Sequence, residues 1–271
     1  MHTTNIQGVE VPSLGFGTFQ LSGDDCQRGV EHALSVGYRH LDTAQAYDNE
    51  ERVGAGMGRS GVDRAEIFLT TKLDSASLSR DRVEPAVADS LKKLRTDYVD
   101  LLLIHWPSRD TPTDETLAAM REVQEEGRVR QIGVSNFPPS QVEAALEEAT
   151  IFCDQVEYHP FLGQERLRGL AVEHDFLLTA YAPLAQGGVM SDPTLEEIAE
   201  AHGASAAQVA LRWLIAQDHV CAIPKATSPD RIESNLAALD LELSDEELRR
   251  VDGLERGGRV VDPDFAPDWE D

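Results

Sequence analysis

Apolar runs of a few residues alternate along the chain with longer amphipathic stretches, and turn-forming residues mark most junctions. Residues 3–12 read as a short hairpin. Asn5-Ile6 and Val9-Glu10-Val11 flank Gln7-Gly8, and Pro12 ends it. Leu14-Gly15-Phe16-Gly17-Thr18-Phe19 is a strand-like run whose two glycines imply either a close approach to the backbone or a tight bend. Beyond it the spacing predicts helices near 24–36, 49–59, 80–95, 114–126, 139–149, 164–174, 193–202, 205–217, 229–237 and 244–254. Strands are predicted between them near 39–43, 67–72, 99–105, 130–136, 152–158, 176–181 and 220–225. Ser79 is a candidate N-cap, and Gly37 and Gly127 are helix stops. The tail 257–271 is rich in Gly, Asp and Pro.

With the Gly-rich run counted first, the pattern gives eight strands. Strands alternating with helices predict a parallel sheet. Eight such units suit a closed (β/α)8 TIM barrel with a short N-terminal hairpin and extra helices better than an open sheet of about six strands. No repeat, linker or compositional break divides the chain, so 1–271 is expected to be one domain. No apolar run approaches the roughly 20 residues that span a bilayer. Met1-His2-Thr3-Thr4-Asn5 lacks the basic start and apolar core of a signal peptide. Cys26, Cys153 and Cys221 are few and scattered, with no CxxC pair, so a reducing cytoplasm is expected.

Charge changes the picture further. Acids number 49 and bases 24, a net of −25, and only Lys72, Lys92, Lys93 and Lys225 are lysines. Such a balance argues against nucleic acid or an anionic membrane as partner. It also sets like charges against one another across a folded surface, a repulsion that molar salt relieves by shortening the Debye length to about 3 Å. Adaptation to a salt-rich (halophilic) cytoplasm is the expectation. An ordinary acidic cytosolic protein is the alternative.

Three predicted strands end in chemistry. The first carries Asp42, with Tyr47 five residues on; the second ends in Lys72 and the third in His105. In a parallel barrel those ends share one face, where such barrels keep their active sites. A lysine closing an apolar strand is rarely buried without a partner, and Asp42 is the obvious one. A purely structural ion pair is one reading. The other is that the pair shapes the proton affinity of Tyr47. A nearby cation lowers a phenol from its usual pKa of about 10, so that it donates to a carbonyl oxygen near neutral pH. His105 is then placed to orient that oxygen.

Other motifs are weaker. Gly54-Ala55-Gly56-Met57-Gly58 resembles a nucleotide fingerprint but falls late in a predicted helix, and reads as helix end and turn. There is no P-loop. His159 has no second ligand at metal spacing, so no metal is expected.

Asp42…Tyr47, Thr71-Lys72-Leu73 and Leu103-Ile104-His105-Trp106-Pro107 resemble the catalytic tetrad of the aldo-keto reductases. The likeness continues through Gly133-Val134-Ser135-Asn136-Phe137, Gln155-Val156-Glu157-Tyr158-His159-Pro160, Ala180-Tyr181-Ala182-Pro183-Leu184 and Ile223-Pro224-Lys225, in family order. It looks closest to the prokaryotic 2,5-diketo-D-gluconate reductase-like branch. The resemblance implies a monomeric reductase that takes aldehydes, ketones or keto-sugars and uses NADPH, with NADH as a possible substitute. Tyr47 is then the general acid, tuned by Lys72 and Asp42. Ser135, Asn136 and Gln155 hold the carboxamide, and Tyr181 stacks on the nicotinamide. Gly17, Thr18, Leu184 and Asn235 line the cofactor, and Lys225 and Arg231 grip the 2′-phosphate. Phe19 and Trp106 wall the substrate pocket, with Trp269 reading equally as wall or surface aromatic. The chain departs from the family at Ala226 and Ala182, often Ser, at Ser234, often Glu, and at Asp74, often aromatic. The last implies a more polar pocket. The same fold also serves in channel-associated regulatory subunits with little turnover, which is the alternative function.

Overall fold

The computed structural model describes residues 2–254 and 258–269. Residues 1, 255–257 and 270–271, including both ends of the expected tail 257–271, lie outside the described residues. The hairpin forms as read, with β1 (Thr3–Ile6) antiparallel to β2 (Val9–Pro12). Gln7 and Gly8 turn it at φ 50° and 81°, the left-handed pair that a tight two-residue hairpin requires. Its Ile6 and Val11 join a buried cluster with Phe68, Phe152 and Leu177, so the hairpin plugs the end of the barrel where the strands begin.

Parallel strands and helices then alternate. β3 (Phe16–Gly17), α1 (Gly23–Val36), β4 (His40–Asp42), α2 (Glu50–Ser60), β5 (Phe68–Leu73) and α3 (Arg80–Leu94) make the first half-turn. β6 (Val99–Ile104), α4 (Thr113–Glu125), β7 (Val129–Ser135), α5 (Pro139–Glu148), β8 (Cys153–Glu157) and α6 (Glu165–His174) continue it. β9 (Leu177–Tyr181), α7 (Pro193–His202), α8 (Ala206–Ile215), β10 (Val220–Ala222), α9 (Pro229–Leu236) and α10 (Asp245–Asp252) complete it. The eight strands β3 to β10 lie side by side in chain order. The ends meet: Leu14 bridges Ala222, Gly15 N–H donates to Ala222 O at 2.8 Å, and Gly17 N–H donates to Pro224 O at 3.1 Å. The architecture is the expected (β/α)8 barrel.

The two early glycines are explained by this seam. A Cβ on Gly15 would sit 2.8 Å from the His40 ring, and one on Gly17 would sit 2.6 Å from Ile223 O. What approaches the backbone at Gly17 is the last strand's continuation. The glycines of α2 are a correction: the helix runs through all three to Ser60 and turns only at Gly61, φ 74°. Gly54 and Gly56 serve packing, since a Cβ there would meet Leu94 backbone at 2.6 Å and Gln27 O at 2.8 Å. No helix among the described residues is long and apolar enough to cross a membrane.

Candidate active site

β4, β5 and β6 deliver their terminal side chains to one point at the C-terminal face. Lys72 is completely buried, and its ammonium donates to Asp42 Oδ1 at 2.6 Å, Thr43 O at 2.9 Å and Tyr47 Oη at 3.3 Å. Tyr47 rides on a short 3-10 turn, Gln45–Tyr47, directly after β4. The His105 ring stands edge-on to Tyr47, centroids 5.5 Å apart. The four expected catalytic side chains are therefore one cluster.

Their protonation follows from burial and charge. Burial opposes the Lys72 charge, but Asp42 and Tyr47 outweigh it and hold the ammonium above its usual range. His105 is driven down to about 3 by burial, with Lys72 adding to it, so its imidazole is neutral at any physiological pH. Tyr47 corrects the sequence reading. Burial of the hydroxyl pushes it up, Lys72 pulls it down, and Asp42 cancels part of that pull, so the net shift is upward. A rule that counts the cation alone omits the cost of desolvating a phenolate. Tyr47 is thus a firmly protonated acid in the protein without cofactor.

A second strip of polar groups adjoins the first. Gln155 Nε2 donates to Asp42 Oδ2 at 2.7 Å, leaving its own side-chain oxygen without a partner among the described residues. Ser135 Oγ donates to Gln155 O at 2.8 Å, and Tyr181 Oη donates to Asn136 Oδ1 at 2.7 Å. Asn136 and Ala182 bend the chain just past β7 and β9 in left-handed conformations, φ 64° and 46°. Such non-glycine positions are sparsely populated and concentrate at functional sites. Leu184 follows in the same loop and packs on the core. Thr18 is buried, its hydroxyl spent on Asp42 O at 2.9 Å. Lys225 and Arg231 are exposed beyond β10, with no carboxylate partner among the described residues, and Asn235 is buried beside them in α9. An amide oxygen, the partly buried Tyr181 ring and two cations without a carboxylate partner among the described residues are groups that would suit a nicotinamide dinucleotide.

Aromatic rings surround the opening. Phe19 lies 5.1 Å from Tyr47 by ring centroids and is 54% exposed. Trp106 contacts Phe265 at 5.3 Å and Trp269 at 6.1 Å. Trp269 is thus packed beside Trp106. The Asp74 carboxylate caps its own turn, accepting from Ser75 N–H at 2.7 Å.

Sequence reading missed Asn49 and Phe265. Asn49 donates to Thr18 O and Leu21 O and accepts from Thr43, tying two site loops together. Its one local signal, an N-cap position, concealed this, because its side chain does not cap α2. Phe265 had no signal beyond its type.

The chain matches the model of the aldo/keto reductase family over residues 13–256. It is 40% identical over 268 residues to methylglyoxal reductase DkgB of Escherichia coli O157:H7, covering 97% of this chain and 100% of that protein. It is 41% identical over 256 residues to glyoxal reductase of Bacillus subtilis (strain 168), covering 93% and 92% respectively. A crystal structure provisionally assigned as a 2,5-diketo-D-gluconic acid reductase B superposes with a TM-score of 0.96 at 45% identity, covering 99% of this chain and 97% of that one.

Proposed function

The chain belongs to the aldo/keto reductase family, an oxidoreductase family using nicotinamide cofactors, and on that premise we propose that it reduces small aldehydes and ketones, dicarbonyls and keto-sugars among them, with NADPH. The observation that carries this is the Lys72 ammonium, buried between Asp42 Oδ1 and Tyr47 Oη. A charge so costly to bury is retained where it serves chemistry or specificity. When bound, the nicotinamide supplies a hydride to the carbonyl carbon. Tyr47 holds the proton that the carbonyl oxygen takes up, and Lys72 stabilises the phenolate left behind. Asp42 keeps Lys72 aimed and its charge balanced. His105, neutral, offers a hydrogen bond that orients the carbonyl oxygen beside Tyr47. Ser135, Asn136 and Gln155 would hold the carboxamide of the cofactor, and the Tyr181 ring would bear on its nicotinamide. Gly17, Thr18, Leu184 and Asn235 would line the remainder.

Lys225 and Arg231 favour NADPH because two unpaired cations suit a 2′-phosphate. Relatives named as methylglyoxal and glyoxal reductases support small dicarbonyls as substrates. The test is consumption of NADPH and of NADH in molar KCl against aldehydes, dicarbonyls and keto-sugars. Turnover with NADPH, and loss of the NADPH preference in Arg231→Ala, is the expected result. Tight NADPH binding without turnover of any carbonyl contradicts the reading.

A further inference from the structure

Glu157 takes no part in the chemistry above, yet its carboxylate has four polar partners among the described residues. It is fully buried at the end of β8, level with Tyr181 on β9. Val260 N–H donates to Oε1 at 2.6 Å and Val261 N–H to Oε2 at 2.9 Å. His159 Nε2 lies 2.9 Å from Oε1, and Arg259 Nη1 lies 3.8 Å from Oε2. Three of these four groups come from the tail. Over 258–269 that tail forms neither helix nor strand. Apolar burial holds it weakly too: Val260 and Phe265 are exposed, and Ala266 is its one buried apolar residue. Gly258, Gln186 and Arg109 add one bond each, to or from a backbone carbonyl. The docking is therefore set chiefly by a buried charge that the tail's own amides and guanidinium compensate. Lifting the tail strips that charge of its partners, which is costly in a dry site.

The grip is passed on. The Arg259 guanidinium lies over the Trp269 ring at 3.7 Å from its centroid, and Trp269 meets Trp106, the residue after His105. We propose that Glu157 is a positioning residue that latches the tail, so that Trp269 and Phe265 form an aromatic wall beside His105 and Tyr47. The latch selects carbonyls with bulky aromatic substituents, while a small dicarbonyl reaches Tyr47 without touching the wall. This selectivity rests on the reductase reading; the latch itself does not.

The test compares wild type, Glu157→Gln and Arg259→Met. Glu157→Gln keeps the shape but sets an amide NH2 against a tail donor. It is expected to speed amide exchange at Val260 and Val261 on the order of tenfold, with β6 and α8 unaffected. The KM for 2-naphthaldehyde is expected to rise about fivefold or more, with kcat, the KM for methylglyoxal and NADPH affinity each within about twofold. Arg259→Met is expected to give the same KM split with slower loss of amide protection. Unchanged exchange at Val260 and Val261 overturns the latch. A KM rise equal for both aldehydes overturns the selectivity. If wild type reduces neither aldehyde, the reductase reading has failed, and the exchange arm alone decides the latch.

Discussion

At the residue scale the site is built on buried groups whose charge states are set by their neighbours. Lys72 and Asp42 pay for each other's burial, and removing either would strand the other at a cost of about 3–5 kcal/mol. Asp154 is the contrasting case. It is fully buried one residue before Gln155, and neither carboxyl oxygen has a hydrogen-bond partner. Burial pushes it well above the usual carboxylate range, opposed by a Phe137 amide not placed for a full bond. The group therefore holds its proton to a higher pH in the folded chain than in the unfolded one, where an aspartate ionises near 3.9. The fold binds the extra proton, so stability is intact below about pH 4 and falls as pH rises toward the raised value. Asp154→Asn is expected to raise the melting temperature at pH 8 and leave it unchanged at pH 4. An equal shift at both pH values would show that ionisation plays no part.

At the element scale the barrel depends on close backbone contact, as at its closing seam. Gly17→Ala places a methyl 2.6 Å from Ile223 O at the closing seam. It is expected to cost about 1–3 kcal/mol in urea unfolding. Gly58→Ala meets nothing within 4 Å inside α2. It is expected to gain up to about 1 kcal/mol from helix propensity. Reversed signs would refute the packing account. The contrast also shows what the sequence made legible. The extents of β4 to β9 and of the helices were readable within a residue or two, because most of the strands are short runs buried throughout and each helix buries one face. β10 ends at Ala222 instead of 225, since Pro224 has no N–H to donate to the ladder. The purpose of Gly54 and Gly56 was hidden, because the atoms they admit come from α1 and α3. Asp42, Tyr47, Lys72 and His105 were legible as charged or polar endings to apolar strands. Asn49 and the grip of Glu157 on the tail were not, since their partners are distant in the chain. The direction of the Tyr47 shift was misread because desolvation depends on the packed surroundings.

At the scale of the whole molecule, 49 acids against 24 bases leave a net charge of −25. Many arginines pair at the surface, as Arg28 does with Asp25 and Arg250 with Glu197. Exposed pairs of this kind contribute little each and leave most of the acids unbalanced. Raising KCl from about 0.1 M to about 1 M shortens the Debye length from about 10 Å to about 3 Å. The melting temperature is expected to climb by several degrees over that range, and a flat or falling curve would set aside adaptation to salt. Activity assays belong under the same conditions. The central claim is that Tyr47 carries the proton for carbonyl reduction, and the most direct measurement is single-turnover NADPH oxidation by wild type and Tyr47→Phe in molar KCl, with NADPH binding titrated in both. Unchanged NADPH affinity and a rate reduced at least about a hundredfold are expected in the variant. A variant that binds NADPH and oxidises it within about twofold of the wild-type rate would contradict it.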